Sequence, residues 1–334
     1  MSFSENANAS TDAIRVEGVT KRYGKHVAVD NLNFEVHQGE IFSILGPNGA
    51  GKTSTIRMIL DILRPDSGRI EVLGGPFDES KKERIGYLPE ERGLYRGARV
   101  SELLAYLGTL KGMTNAAAAR RASELLDEFG LGENKKSKVS ELSRGMSQKV
   151  QFIATIIHKP DLLVIDEPFA GLDPVNTEMI KTIIFRLKSE GRTIVMSIHE
   201  MHQVEEMADR LLMIDQGRRV LYGSVDEVRQ QYAENAVVVS GQGNWQALPG
   251  VQSVQADEAG RHFTLQLNRG TRPDEVLQTI AANKDFRLQS FALAVPSLND
   301  IFIRVAGHNG ANHDNSTVAG QALSGKGSDG HESA

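Results

Sequence analysis

The chain has no cysteine, which rules out disulfides and cysteine-based metal sites and fits a reducing compartment. It has no apolar stretch approaching the roughly 20 residues that span a bilayer, so any membrane function must borrow its membrane part from another chain. The opening stretch, MSFSENANASTDA, lacks both a basic n-region and an apolar h-region, so no secretory signal is expected. A net charge of −5 is mild and makes no general case for nucleic-acid binding. No internal repeat is visible. His37, His158, His202 and the histidines of the tail form no metal-like grouping and read as surface residues. What is present is length: 334 residues are enough for two domains and a substantial core.

The stretch IFSILGPNGAGKTS, residues 41–54, carries the first clear chemistry. A short apolar run ends in a glycine-rich loop that delivers Lys52 and Thr53 to the start of a helical pattern. That order of strand, loop and helix is what a GxxxxGK[ST] phosphate loop requires. Gly46, Gly49 and Gly51 let the backbone fold into a nest of inward N–H groups, with Pro47, Asn48 and Ala50 between them. The helix N-terminus adds partial positive charge. Lys52 is expected to reach the β- and γ-phosphates of a nucleoside triphosphate, Thr53 to ligate Mg²⁺, and Ser54 to complete the binding loop.

Such a loop calls for a carboxylate at the end of a buried strand, because Mg²⁺ needs an anchor opposite the phosphates. LLVIDEP, residues 162–168, supplies Asp166 for the metal, directly or through water. Glu167 beside it is placed to act as general base on a water attacking the γ-phosphate.

The remaining pattern is α/β. Strands around Ile14–Val19 and in LNFEV precede the phosphate loop, whose helix carries Ile56, Ile59, Leu60 and Leu63 and is expected to stop at Pro65. Residues 98–160 are helix-rich without a strand pattern, which suggests an inserted subdomain. DLLVID, TIVMSI and RLLMID then alternate with helices, as in a mostly parallel sheet covered on both faces. From about 231 to 305 short strands and two helices read as a small α+β domain. The expected division is a lead of 1–11, a nucleotide-binding domain of 12–230 with its helical part at about 96–160, an accessory domain of 231–305, and a tail of 306–334. Lead and tail are low in apolar content and are expected to be disordered.

On these motifs the chain resembles the ATP-binding cassette (ABC) ATPases. LSRGM (142–146) looks like the family's signature, some twenty residues before LLVIDEP. Gly46 to Thr53 then matches Walker A, and Leu162 to Asp166 with Glu167 matches Walker B and the catalytic glutamate. Tyr23 matches the aromatic that stacks on adenine, Ala170 to Asp173 the D-loop, and His199 the switch histidine that contacts the γ-phosphate. The resemblance implies an ATPase of the P-loop fold using ATP and Mg²⁺. It also implies a head-to-tail dimer in which Ser143 and Gly145 of one subunit contact the γ-phosphate of ATP bound by the other. Ser143 reads independently as the cap of the helix that follows.

Two positions depart from the family pattern. Glu90, in YLPEERGLY, stands where the family usually has the glutamine that touches Mg²⁺ and the attacking water. A carboxylate there could ligate the metal, with Arg92 available to offset its charge. Arg144 and Met146 replace the usual glycine and glutamine of the signature. The C-terminal region, ending in PSLNDIFIRV, resembles the accessory domain of exporter ATPases of the sodium-extrusion and drug-export type. The expectation is therefore an ATPase subunit on the cytoplasmic face of the membrane, driving a separate multi-span permease, with sodium or a drug or lipid as cargo. The competing class is a soluble cassette ATPase acting on DNA or ribosomes. It is disfavoured by the single cassette, by the short interval between Walker A and signature, and by the lack of a basic face.

Overall fold

The computed structural model describes residues 12–90 and 93–305. The lead, the tail and Arg92 lie outside the described residues. Two long strands open the fold, β1 (Asp12–Tyr23) and β2 (His26–His37), followed by β3 (Ile41–Leu45), α1 (Lys52–Ile59), β4 (Ser67–Val72) and β5 (Ile85–Leu88). The helical stretch holds α2 (Val100–Leu110), α3 (Asn115–Glu128) and α4 (Arg144–Ile156). Next come β6 (Leu162–Asp166), α5 (Pro174–Ser189), β7 (Thr193–Ser197), α6 (Met201–Met207), β8 (Arg210–Asp215), β9 (Arg218–Ser224) and α7 (Val225–Gln231). The last part contains β10 (Ala236–Gln242), β11 (Val251–Ala256), β12 (His262–Leu267), α8 (Pro273–Ala282), β13 (Arg287–Leu293) and α9 (298–305).

The central sheet runs β5-β6-β7-β3-β8-β9, with every pair parallel except the β8–β9 hairpin. IFSIL, LLVID and TIVMS are buried along their whole length, as strands covered on both faces must be. Alternation along β3 divides the core. Ile41 and Leu45 face a large cluster built with α2 to α5, whereas Phe42 and Ile44 face a second cluster with α1. β1, β2 and β4 do not join this sheet; they form an antiparallel sheet of order β2-β1-β4 over the second cluster. Phe34 of β2 stacks on Phe42 with ring centroids 5.7 Å apart, locking the two sheets together.

Several details differ from the sequence reading. α1 ends at Ile59, and Leu63 lies in the turn beyond, packed against the second cluster without being helical. His158 is not a surface residue: it is partly buried at the end of α4, with Nε2 3.2 Å from the carbonyl of Ile85. Desolvation, helped by the charge of Lys111, lowers its pKa to about 4. His37 is also half-covered, 2.9 Å from Asp12.

β10 to β13 make an antiparallel sheet of order β11-β12-β10-β13, with its own core of Val237, Val239, Leu265, Trp245, Val276 and Ile280. α9 does not belong to that core. Leu298 and Ile301 are fully buried in the large cluster of the cassette instead. Two hydrogen bonds secure the return: Leu298 N–H donates to Glu205 of α6 at 2.5 Å, and Arg229 of α7 donates to the carbonyl of Pro296 at 3.1 Å.

Candidate active site

The parallel strands deliver their loops to one edge of the central sheet. The turn after β3, the ends of β6 and β7, and the loop after β5 line a cleft of about 620 Å³. It brings together Tyr23, Asn48, Gly49, Gly51, Lys52, Thr53, Ser54, Glu90, Asp166, Glu167 and His199. A crevice at the carboxyl ends of parallel strands is where α/β folds bind ligands.

Glycine is required at the two ends of the loop. A Cβ on Gly46 would lie 2.0 Å from the carbonyl oxygen of Ile214, and one on Gly51 2.4 Å from that of Ala28. Both also have positive φ, 148° and 110°. The loop closes on itself through Ala50 N–H to Pro47 O at 3.2 Å. Lys52 is buried, and its Nζ donates to the carbonyls of Gly46 at 2.8 Å and Pro47 at 3.2 Å. The ammonium is thus held across the mouth of the nest by groups of the loop itself. Tyr23 ends β1 and is 48% exposed, with its hydroxyl 3.5 Å from Ser54 Oγ, so its ring is open to stacking.

Across the cleft, Asp166 is buried at the tip of β6, and its Oδ1 accepts a hydrogen bond from Ser197 Oγ. Its Oδ2 is buried with no hydrogen-bond partner among the described residues. An unpartnered buried carboxylate oxygen is costly unless a cation meets it. No cluster of three or more His, Cys, Asp or Glu able to hold a metal occurs among the described residues. These donors therefore fit Mg²⁺ shared with phosphate oxygens, the usual arrangement for that ion, rather than an all-protein cage.

Glu167 takes a left-handed backbone, φ 55°, which is uncommon for a residue with a side chain. Its carboxylate lies 2.7 Å from His199 Nδ1. Burial pushes its pKa up, and the hydrogen bond from His199 and the charge of Lys52 act against that rise. A raised carboxyl pKa moves the group toward the range in which a base works well at neutral pH.

The signature residues are elsewhere. Ser143 caps α4, accepting from Met146 N–H at 3.3 Å, and is exposed outside the cleft. The Arg144 guanidinium lies against the loop after β6: a Cβ on Gly171 would stand 2.8 Å from its Nε. Gln148 ties the same helix to the carbonyl of Pro168 at 3.2 Å. Asp173 caps α5, accepting from Asn176 N–H at 3.0 Å. One residue that sequence reasoning missed is Ser197, which touches both Asp166 and Glu167. The only sequence signal for it is its place at the end of a buried strand.

Comparison with known proteins places both parts of the chain among described families. The family model described as "ABC transporter" matches residues 29–170, and that described as "ATP-binding protein DrrA1-3-like, C-terminal domain" matches residues 223–306. An uncharacterised ABC transporter ATP-binding protein of Bacillus subtilis, YhaQ, is 38% identical over 88% of this chain and 98% of its own length. The daunorubicin/doxorubicin resistance ATP-binding protein DrrA of Streptomyces peucetius is 31% identical over 89% of this chain and 93% of its own. Among solved structures, an ATP-binding subunit of an ABC transporter superposes with a TM-score of 0.62 at 30% identity, covering 66% of this chain and 93% of that one. The chain belongs to the ATP-binding proteins of ABC transporters. Members of this family hydrolyse ATP in support of transport and work with membrane permease components. No helix among the described residues is long and apolar enough to cross a membrane.

Proposed function

We propose that the chain is the ATP-hydrolysing subunit of an exporter, attached to the cytoplasmic face of the cell membrane through a separate multi-span permease. Residues 12–230 serve as the cassette, with the helical part at about 96–160, and 231–305 as an accessory unit. Exporter names among the relatives support the direction of transport: a drug-resistance ATP-binding protein and, at 37% identity over 65% of this chain, a Nod factor export ATP-binding protein of Cupriavidus metallidurans. They favour an organic, drug- or lipid-like cargo over sodium, with the choice made by the permease.

In this reading the loop Gly46–Ser54 cradles the phosphates and Tyr23 stacks on adenine. Lys52 leaves the carbonyls of Gly46 and Pro47 for the β- and γ-phosphates. Asp166 Oδ2, Thr53 and Glu90 would hold Mg²⁺, which when bound neutralises phosphate charge. Glu167 takes the proton of the attacking water, and His199 holds its carboxylate and reaches the γ-phosphate. Ser143 and Gly145 of a second subunit complete the site across a dimer interface. One observation carries the proposal: the cleft gathers the residues for binding and proton transfer while Ser143, at the N-terminus of the signature helix, stands exposed outside it.

Affinity capture of the tagged chain from detergent-solubilised membranes tests the assignment. A co-purifying multi-span protein that stimulates ATP hydrolysis is the expected result. Recovery of ribosomes or DNA in its place would overturn it in favour of a soluble cassette ATPase.

A further inference from the structure

Asp166 and Glu167 are neighbours in sequence, yet both are held by one residue of the adjacent strand. Ser197 ends β7, is fully buried, and lies opposite Asp166 in the parallel register of β6 and β7. Its hydroxyl touches Asp166 Oδ1, and it accepts the N–H of Glu167 at 3.2 Å. The carbonyl of Ser197 lies 3.3 Å from the same N–H. An ionised carboxylate only accepts, so the single hydroxyl proton of Ser197 goes to Oδ1. That leaves Oδ2 as the buried oxygen without a partner. Glu167 meanwhile holds a positive φ that its side chain disfavours, and Ser197 grips the N–H at that turn.

We propose that Ser197 is a positioning residue for the nucleotide site, selecting Asp166 Oδ2 as the metal-facing oxygen and clamping the turn that presents Glu167. The inference rests on the reading of Asp166 as the magnesium carboxylate. The contact comes from sheet register, so it is in place before any ligand arrives. Partners that orient a metal-binding group in this way commonly affect metal affinity by about 10-fold or more.

The test uses Mn²⁺ as a spin probe with the full chain loaded with a non-hydrolysable ATP analogue. Free Mn²⁺ is followed by paramagnetic resonance, and analogue binding is measured separately with EDTA. Ser197→Ala is expected to weaken Mn²⁺ binding about 10-fold while leaving metal-free analogue affinity within about twofold. Ser197→Thr keeps the hydroxyl and is expected to restore Mn²⁺ affinity. Wild-type Mn²⁺ affinity in Ser197→Ala overturns the proposal. So does an equal loss of metal-free analogue binding, or a Thr variant that melts like wild type yet binds Mn²⁺ as poorly as Ala. If wild type binds the analogue but no Mn²⁺, the assignment of Asp166 fails instead, and the two failures are told apart.

Discussion

The phosphate cleft and the signature helix are both helix N-termini suited to anions, yet they are finished to different degrees. At the cleft, three charged groups already have local partners: Lys52 has the loop carbonyls, Asp166 Oδ1 has Ser197, and Glu167 has His199. At the signature, Ser143 caps its helix and is exposed. The first region is organised by its own chain, and the second is the one the proposed function assigns to the nucleotide of another subunit. Nucleotide binding by one subunit should therefore separate under mutation from cooperative hydrolysis, because in the proposed function only the second also draws on the signature.

The largest break should come from Glu167→Gln. Losing the base should lower turnover about 1000-fold, within the usual span for general-base removal, with ATP affinity kept. Single-turnover assays and nucleotide binding check this, and light scattering should show an ATP-dependent dimer accumulating. Lys52→Ala strikes binding itself. About 100-fold weaker ATP affinity is expected from loss of a charge-assisted contact at a nest, read by titration with a fluorescent nucleotide.

The far end of the signature helix offers a pH-dependent break. His158 titrates near 6.5 in the unfolded chain and at about 4 in the folded one, so between these values the unfolded state holds more protons. Stability then falls as pH falls through that window, by at most about 3 kcal/mol. Urea midpoints for wild type and His158→Gln at neutral and acid pH measure it, and the variant should lose this part of the slope. The smallest effect belongs to Ser143→Ala. Loss of the cap should cost about 1 kcal/mol of stability. ATP affinity of the isolated subunit should be unchanged, whereas cooperative hydrolysis should fall; an equal fall in monomer binding would erase the distinction between the two regions.

How legible each part was depends on how local its chemistry is. The loop Gly46–Thr53 is readable because a nest, a lysine and a helix start are consecutive in the chain. The parallel strands were readable because full burial demands unbroken apolar runs such as LLVID and TIVMS. β1, β2 and β4 gave no warning that they form a separate sheet, since alternation reports a covered face but not the sheet that covers it. Ser197 was invisible for a related reason: its partner Asp166 is an adjacent residue only across strands. His158 was misread because a histidine after an apolar helix looks the same whether its ring meets water or the carbonyl of Ile85. α1 stopped before Pro65 because Asp61 takes positive φ, a local turn that the run of apolar residues conceals.

The burial of Leu298 and Ile301 in the cassette changes what the accessory sheet is in mechanical terms. A domain hung from one end can swivel freely, whereas this one leaves through α7 and is sewn back beside α6, so it is held at two points like a handle. Trimming the chain ahead of α9 would do more than remove an appendage. It would pull two fully buried side chains out of the ATPase's own core, a loss on the scale of about 2–5 kcal/mol for each large aliphatic residue removed.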